Sequence, residues 1–455
     1  MNDSNPPARD VRGHLLRIFG LGFGLAVVIG GVIGSGILRN PSVVAAGFLD
    51  PKWILLAWLG GGLFVAIDAM PTVELGAAIP RSGGPYSLAV RAVGPAAGFL
   101  VGWADWLQLV FSTGFIAVAF GEQVQRLGIL PGLSTGEIAV LLVLVCGAIN
   151  WVGARVGGAS QSIGSALKAL GLLVLVAALF LAHGKTGTAV APPPPSFSWV
   201  AAAIALRAIY GAYGGWEAVV YFSEEVHEPE RNVARATFGG IALVTAIYVL
   251  INAAVLHVLP MGILTRSTLA VSDAMTQVLG PGSGVVVTML AMWCVATIAN
   301  LQVMEHVRNT FAMAREGRLP PVLSTVSKSG TPRAALIVVV VATSLVILSA
   351  DLIKGELYEV LLNLYAPNIM LIFLILAYGA IRLRRTEPNL ERPYKMPFYP
   401  WPALLTIVAN GALLVLFVVS DWRTGIYSLL SLALALPLYA LGRSRWHGAV
   451  RAETP

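Results

Sequence analysis

Apolar stretches close to the length of a bilayer crossing recur along the whole chain, as at 140–149 with its flanks and 170–182 with its own. About 20 consecutive apolar residues cover the hydrocarbon core of a membrane as one helix. Charged residues make up 12% of the chain against 57% apolar, roughly half of the ~25% charge of a soluble domain. A conventional water-soluble fold is excluded, and the 455 residues imply many crossings of a lipid bilayer rather than several soluble domains.

Cutting the apolar windows at Gly, Pro and charged breaks gives twelve expected spans: 16–46, 53–78, 95–124, 136–152, 160–182, 198–223, 234–258, 283–313, 334–350, 357–382, 401–420 and 424–442. An even number puts both termini on one side. On that side fall Arg9, Arg12, Arg17, Arg81, Arg91, Arg155, Arg231, Arg235, Arg315, Arg318, Lys328 and Arg333, the basic cluster at 382–395, and Arg443, Arg445 and Arg451. The opposite loops hold Lys52, Arg126, Lys185, Arg266, Lys354 and Arg423. Twenty basic residues against six assign the termini to the cytoplasm by the positive-inside rule. One missed helix would scramble that asymmetry. The cell's inner, cytoplasmic membrane is the expected location.

The net charge of +7 is spread between apolar runs, so nucleic acid is not an expected partner. Residues 1–12, MNDSNPPARDVR, are polar, with no small-residue cleavage site closing a short apolar core after them. No removable signal peptide is expected. Cys146 and Cys294 sit alone in apolar segments, as small packing residues do. The proline run Pro192–Pro195 reads as a short extended linker on the outer side.

Two of the spans are interrupted by glycine. Span one contains Gly30-Gly31-Val32-Ile33-Gly34-Ser35-Gly36, and span six contains Gly211-Ala212-Tyr213-Gly214-Gly215. Five spans separate the breaks. An odd offset starts the second set of five helices from the other side of the membrane, which makes the halves inverted repeats. Glycine-interrupted helices at matching places in two halves point to the binding site of a secondary transporter. Where a helix unwinds at mid-membrane, the N–H groups opening the next half-helix can hold a carboxylate, helped by the positive end of the helix dipole. The freed carbonyls can hold an ammonium, so an amino acid zwitterion satisfies both. The competing reading is that the glycines only let helices pack closely; two breaks at matching positions weigh against it.

The segment GGVIGSGIL with Pro41 soon after it resembles the first-helix signature of the amino acid–polyamine–organocation transporters. The stretch 212–236, AYGGWEAVVYFSEEVHEPERNVARA, is similar to their sixth helix and following loop, above all in the L-type branch. AIPRSGGPYSLAVRAVG (78–94), AMAREGRLPPVLSTV (312–326) and ERPYKMPFYPWP (391–402) also match, so the resemblance runs along essentially the whole chain. It implies an all-α membrane fold of ten core helices in two inverted repeats, with helices one and six broken, and two peripheral helices. The corresponding parts are a tail at 1–15, repeats at 16–182 and 198–382, peripheral helices at 401–442 and a tail at 443–455. By motif match, the N–H groups around Gly34, Ser35 and Gly36 would bind the substrate carboxylate, and the carbonyls of Val32, Gly211 and Gly214 its amine.

Lys168, in SQSIGSALKALGLL on span five, carries a second implication. A lysine within an apolar helix is costly and marks function. In sodium-independent members of the resembled family, a fifth-helix lysine puts its ammonium where related transporters hold sodium, bridging helices one and eight. Lys168 matches that position and implies sodium-independent transport. The alternative is a side chain snorkelling to the interface, since Lys168 lies only eight residues past Ser160.

The chain departs from the L-type pattern where a gating phenylalanine is usual and Gly211 stands instead, which loosens the pocket unless Tyr210 or Tyr213 replaces the gate. Glu217 follows Trp216 where an uncharged polar residue is more usual; facing the cavity, it would attract a cationic side chain or titrate during transport. The other reading pairs it with a neighbouring helix. Asp105 between Trp103 and Trp106, and Gln302 on span eight, are further pocket candidates, and Asp68 is another intramembrane acid. Glu305 stands three residues before Arg308 and is expected to pair with it. Glu74 reads as structural, and Glu224 and Glu225 with Arg231 and Arg235 read as a cytoplasmic network.

Without a GxxxxGK[ST] loop, ATP does not drive transport directly. The expected function is alternating access for an L-amino acid, neutral by preference, driven by exchange, by its own gradient or by protons. A cationic amino acid or polyamine exchanger is the runner-up, and a channel or scaffold the remote one. Histidines at 14, 183, 227, 257, 306 and 447 form no HExxH or paired metal spacing. No enzyme activity, metal or cofactor is expected.

Overall fold

The computed structural model describes residues 15–181, 196–352, 357–420 and 422–445. The proline run at 192–195, Arg9, Arg12, Arg451, Lys185 and Lys354 lie outside the described residues, as do the side chains of Arg423, Arg443 and Arg445.

Helices dominate the described residues, and one parallel bridge, Phe19 to Val226, lies outside any strand. In chain order they are α1 (Leu21–Val32), α2 (Gly36–Phe48), α3 (Pro51–Ala78), α4 (Pro85–Val93), α5 (Pro95–Arg126), α6 (Thr135–Val152), α7 (Ala154–Leu181), α8 (Trp199–Ala212) and α9 (Pro229–Val258). There follow α10 (Met261–Leu264), α11 (Ala270–Leu279), α12 (Ser283–Arg315), α13 (Arg333–Leu352), α14 (Leu357–Thr386), α15 (Trp401–Ser420), α16 (Trp422–Ala433) and α17 (Ala435–Arg445). Local chemistry sets several starts. Asp50 caps α3 by accepting from Lys52 N, with Pro51 in the first turn, and Ser134 with Glu137 forms a capping box on α6.

Nine stretches among the described residues are long and apolar enough to cross a membrane, ten when α1 and α2 count as one bent span. The sequence expectation was twelve. Span six is α8 continued by a 3-10 segment, Trp216–Phe222, and span nine is the shorter apolar helix α13. Both fall short of the others in continuous α-helical length, not in apolar character. Helices α9, α12 and α14 pass on their own.

Large apolar side chains stand fully outward on the bundle. Ile163, Leu170 and Val174 on α7, with Trp53, Leu56 and Leu63 on α3, are all more than half exposed. Water does not tolerate so broad an apolar belt on a monomer, whereas lipid does. Inside the belt, α5 is the most enclosed span, packed against α4, α6, α12, α13 and α14. Small residues let the helices meet. A methyl on Gly47 of α2 would lie 2.8 Å from Ala201 O of α8, and one on Gly24 of α1 would lie 2.8 Å from the Ala236 side chain of α9.

Both described chain ends lie at one end of the bundle. Leu15 packs with Phe311 and Val326, and Gly442 comes within close contact of the Arg318 backbone. That basic end also carries Arg81, Arg91, Arg315, Arg318 and Arg384.

Candidate functional site

The break in helix one bends α1 and α2 by 53° relative to each other. Ile33 takes an extended conformation after the last turn of α1, and α2 starts again at Gly36. The second break follows Ala212: Tyr213 to Gly215 leave the α-helical path, and the chain continues as the 3-10 turn of Trp216–Phe222. The breaks touch backbone to backbone. A Cβ on Gly31 would sit 2.6 Å from Gly215 O, and one on Gly215 would sit 2.7 Å from the Gly31 carbonyl carbon and oxygen. Gly215 also has φ +96°, the left-handed region that glycine alone adopts freely.

That crossing yields a first prediction. Gly215→Ala should destabilise the protein by at least about 1–2 kcal/mol from backbone strain alone, read as a lower thermal midpoint in detergent. Gly211→Ala, whose added methyl meets nothing within 4 Å, should leave the midpoint unchanged. Equal midpoints for the two variants would refute the close crossing.

A tyrosine that sequence reading passed over sits between both breaks. The Tyr248 hydroxyl of α9 lies 3.0 Å from Val32 O and 2.9 Å from Ala212 O. In sequence it is one aromatic residue within an apolar helix, without a signal to distinguish it.

Protein atoms do not seal the breaks themselves. Gly34, Ser35 and Gly36 are half-buried, while Gly211 and Gly214 are exposed. Among the described residues, no carbonyl receives the N–H groups of Gly34, Ser35 or Gly36, which leaves three unengaged donors at the positive end of α2. Of the expected ammonium ligands, Val32 O already faces Tyr248 and Gly211 O accepts from Gly214 N at 3.3 Å. Val32 O keeps a second lone pair, whereas Gly211 O is also approached by the Tyr213 N–H. A narrow cleft lined by Ser35, Leu38, Gln123, Leu269, Thr288 and Ala291 runs from the first break between α2, α5, α11 and α12. Ile298 of α12 stands over it, its Cδ1 3.1 Å from a Cβ built on Gly34.

Behind the first break lies Lys168, fully buried rather than snorkelling. Its Nζ donates to Gly30 O and Ile33 O at 2.8 Å each and lies 3.3 Å from Cys294 O. One ammonium thereby bridges α1 and α12. On the same side a chain of amides joins α6, α12 and α7: Asn150 donates to Asn300 Oδ1 at 2.9 Å and Asn300 to Gln161 Oε1 at 3.0 Å.

The expected side-chain pocket is rearranged. Trp216 stacks on Phe373 of α14 at 5.1 Å between ring centroids and is buried. Tyr213 does not replace the missing gate; its hydroxyl donates to Trp58 O at 2.8 Å and the residue is buried. Tyr210 bonds Asp68 instead of spanning the cleft. Glu217 is nearly buried, and its Oε2 finds no hydrogen-bond partner among the described residues. Asp105 accepts from Tyr221 at 2.6 Å and from Gln108 at 2.9 Å, which ties it to the 3-10 segment rather than to the open cleft. Gln302 bonds Ser112.

One expected ion pair and one expected network change partners. Arg308 turns from Glu305 to Glu225, with contacts of 2.7 and 3.0 Å. Glu224 pairs with Arg315 at 2.9 Å, and neither acid meets Arg231 or Arg235. Helical spacing favours a local pair only when no better partner is in reach, and the loop after the 3-10 segment supplies one. Glu74 is structural, as read: it binds Arg384 at 2.7 and 2.5 Å and the Met396 N–H at 2.6 Å.

These pairs shut the basic end. Phe19 and Val226 bridge, His227 N donates to Phe19 O at 2.7 Å, and Ile18 N donates to Glu225 O at 2.9 Å. Burial raises the Glu225 carboxyl above the ordinary glutamate value, with the Arg308 guanidinium pulling the other way. Beside this seam an open pocket of about 390 Å³ is lined by Arg17, Phe19, Phe23, Arg155, Ser162 and His227.

A sequence-family model described as amino acid permease matches residues 24–437. Among curated relatives, the serine/threonine exchanger SteT of Bacillus subtilis (strain 168) is 31% identical over 439 residues, 93% of this chain and 96% of the relative. The b(0,+)-type amino acid transporter 1 of Homo sapiens is 29% identical over 409 residues, 87% and 81% of the two chains. The large neutral amino acids transporter small subunit 2 of Mus musculus is 28% identical over 474 residues, 97% and 84%.

Proposed function

The chain belongs to the amino acid permease family, in the L-type branch of the amino acid–polyamine–organocation transporters, and from that premise we propose that it carries neutral L-amino acids by sodium-independent alternating access. It is a membrane transporter, not an enzyme. The substrate's carboxylate binds the N–H groups of Gly34, Ser35 and Gly36, and its ammonium binds carbonyls of Val32, Gly211 and Gly214. Ile298 contacts the side chain. The membrane is the cytoplasmic one, the basic end faces the cytoplasm, and the halves 16–182 and 198–382 are inverted repeats. Net movement follows the amino acid's own gradient, exchange for a second amino acid, or protons.

The observation that carries this reading is the trio of unengaged N–H groups opposite an exposed second break. Sodium independence draws support from Lys168, whose ammonium already occupies three carbonyls between α1 and α12. Exchange of external sodium for choline is expected to leave leucine uptake unchanged, and its abolition would show that the lysine does not stand in for sodium.

A cationic substrate is the second reading, and the unpartnered Oε2 of Glu217 favours it. Uptake of labelled leucine and arginine separates the two. The neutral reading expects leucine uptake to survive Glu217→Gln. Arginine transport in the parent that disappears in Glu217→Gln would contradict it.

A further inference from the structure

Away from the cleft, the last turn of α8 is tied to two other helices by a closed ring of three polar side chains. The Tyr210 hydroxyl lies 3.1 Å from Asp68 Oδ2 of α3 and 3.2 Å from Asn410 Oδ1 of α15. Asn410 Nδ2 completes the ring at 3.3 Å from Asp68 Oδ1. The amide orientation is set by a fourth contact, since Nδ2 also donates to Thr406 O at 3.1 Å; a flipped amide would press oxygen on oxygen there. Asp68 and Asn410 are almost completely buried. No lysine, arginine or histidine among the described residues forms an ion pair with Asp68.

The ring has a counting problem. A tyrosine hydroxyl has one hydrogen, yet it stands between two acceptors, a carboxylate oxygen and an amide oxygen. With Asp68 ionised, one of those contacts is acceptor against acceptor. With one more hydrogen on Oδ2, every bond is made: Asp68 donates to Tyr210, Tyr210 to Asn410, and Asn410 to Asp68. Buried polar networks are stable when fully satisfied and costly when partly so.

We propose that Asp68, with Tyr210 and Asn410, is a proton-binding site that couples proton movement to the outer half of broken helix six. The proposal rests on the reading of the chain as an amino acid carrier and adds an ion to it. Tyr210 immediately precedes Gly211, which stands at the second break uncovered by other protein atoms, so the ring adjoins that break directly. A proton taken up on Asp68 Oδ2 closes the ring and holds α8 against α3 and α15. Its loss to water makes two acceptors compete for the Tyr210 hydrogen, one contact fails, and the last turn of α8 is released. Among the groups that face the ring, Glu217 of the 3-10 segment lies within electrostatic reach of Asp68 and of Tyr210, and Tyr365 of α14 within reach of Tyr210. The neighbouring α15 presents only the neutral Asn410 and Thr406, and α9 presents the neutral Thr245 against Gly62.

Proteoliposomes loaded with a pH-sensitive dye test the proposal. Counterflow, the exchange of labelled for unlabelled amino acid across the vesicle, reports the carrier function alone. Net uptake into empty vesicles reports proton coupling: an outside-acid gradient of one pH unit should accumulate substrate up to about tenfold at one proton per amino acid, with acidification of the lumen. Asp68→Asn, which keeps an amide in the ring but cannot ionise, should retain counterflow and lose both the accumulation and the lumenal acidification. Tyr210→Phe, which leaves Asp68's contact to Asn410 in place, reads the same outcome if Asp68→Asn fails to insert. Counterflow without lumenal acidification in the parent protein overturns the proposal and leaves the carrier reading standing. Accumulation that persists in either variant overturns the site, whereas absent counterflow in the parent counts against the carrier reading itself.

Discussion

Methionine in place of Lys168 is expected to leave a protein that inserts and elutes normally in detergent yet transports at least about a hundredfold more slowly. The ammonium makes two contacts of 2.8 Å to α1 and a longer one to α12. Hydrogen bonds from a charged donor contribute about 1.5–3 kcal/mol each, so loss of the two short ones alone removes about 3 kcal/mol or more, a factor of a hundred in any equilibrium that depends on them. The carbonyls of Gly30 and Ile33 flank the unwound segment, so the position of the substrate's N–H donors depends on them. Arginine should not rescue: its planar fork does not fill a site built for one compact cation. Uptake in Lys168→Met within about threefold of the parent, well inside the hundredfold that two charged hydrogen bonds imply, would remove Lys168 from the mechanism.

The second large effect is expected at the basic end. Arg308→Ala leaves the Glu225 carboxylate, fully enclosed, without its cation. Removal of one member of a buried pair costs about 3–5 kcal/mol, and because the pair joins α12 to the loop sealed onto Phe19, that cost falls on the closed state. The population should shift by about a hundredfold or more toward conformations open at this end. A cysteine introduced at Val226, fully buried in the seam, should then react with a membrane-impermeant maleimide applied from the cytoplasmic side. Arg315→Ala serves as the contrast, because that pair with Glu224 is 28% and 18% exposed and exposed pairs contribute only about 0–1 kcal/mol. Equal labelling in the two variants would refute a gate concentrated in the buried pair. Replacement of both Arg308 and Glu225 by apolar residues of similar size should restore much of the closure, since the cost comes from the orphaned charge rather than from the lost attraction.

Helix order, the two breaks and the asymmetric distribution of basic residues were legible in the sequence because each depends on local chemistry. Gly34, Gly211 and Gly215 interrupt apolar runs, and Lys168 has no inexpensive place inside lipid unless carbonyls surround it. Side-chain directions beyond the second break were not legible. Trp216 and Glu217 follow a left-handed glycine and belong to a 3-10 turn, so the 3.6-residue phase that places residues on a helix face no longer applies. Trp216 consequently meets Phe373 instead of the cleft. Long-range partners were hidden for a different reason. Arg308 chose Glu225, 83 residues away, over Glu305 one turn back, and Tyr248 gave no hint that its hydroxyl would lie between both breaks. Such contacts arise from tertiary packing and leave no spacing for a reader of sequence to find.

Competition against uptake by two truncated substrates tests most directly whether the two breaks together hold a zwitterion. Leucine without its carboxylate is isoamylamine, and leucine without its amine is 4-methylpentanoate; both keep the apolar side chain. If the N–H groups of Gly34, Ser35 and Gly36 and the carbonyls at the second break each take one charged group, leucine should inhibit labelled amino acid uptake while neither analogue does so at concentrations about a hundredfold higher, the factor set by the loss of one charge-assisted contact of about 3 kcal/mol. Inhibition by either analogue at the potency of leucine would contradict the account, because one of the two breaks would then contribute nothing to recognition.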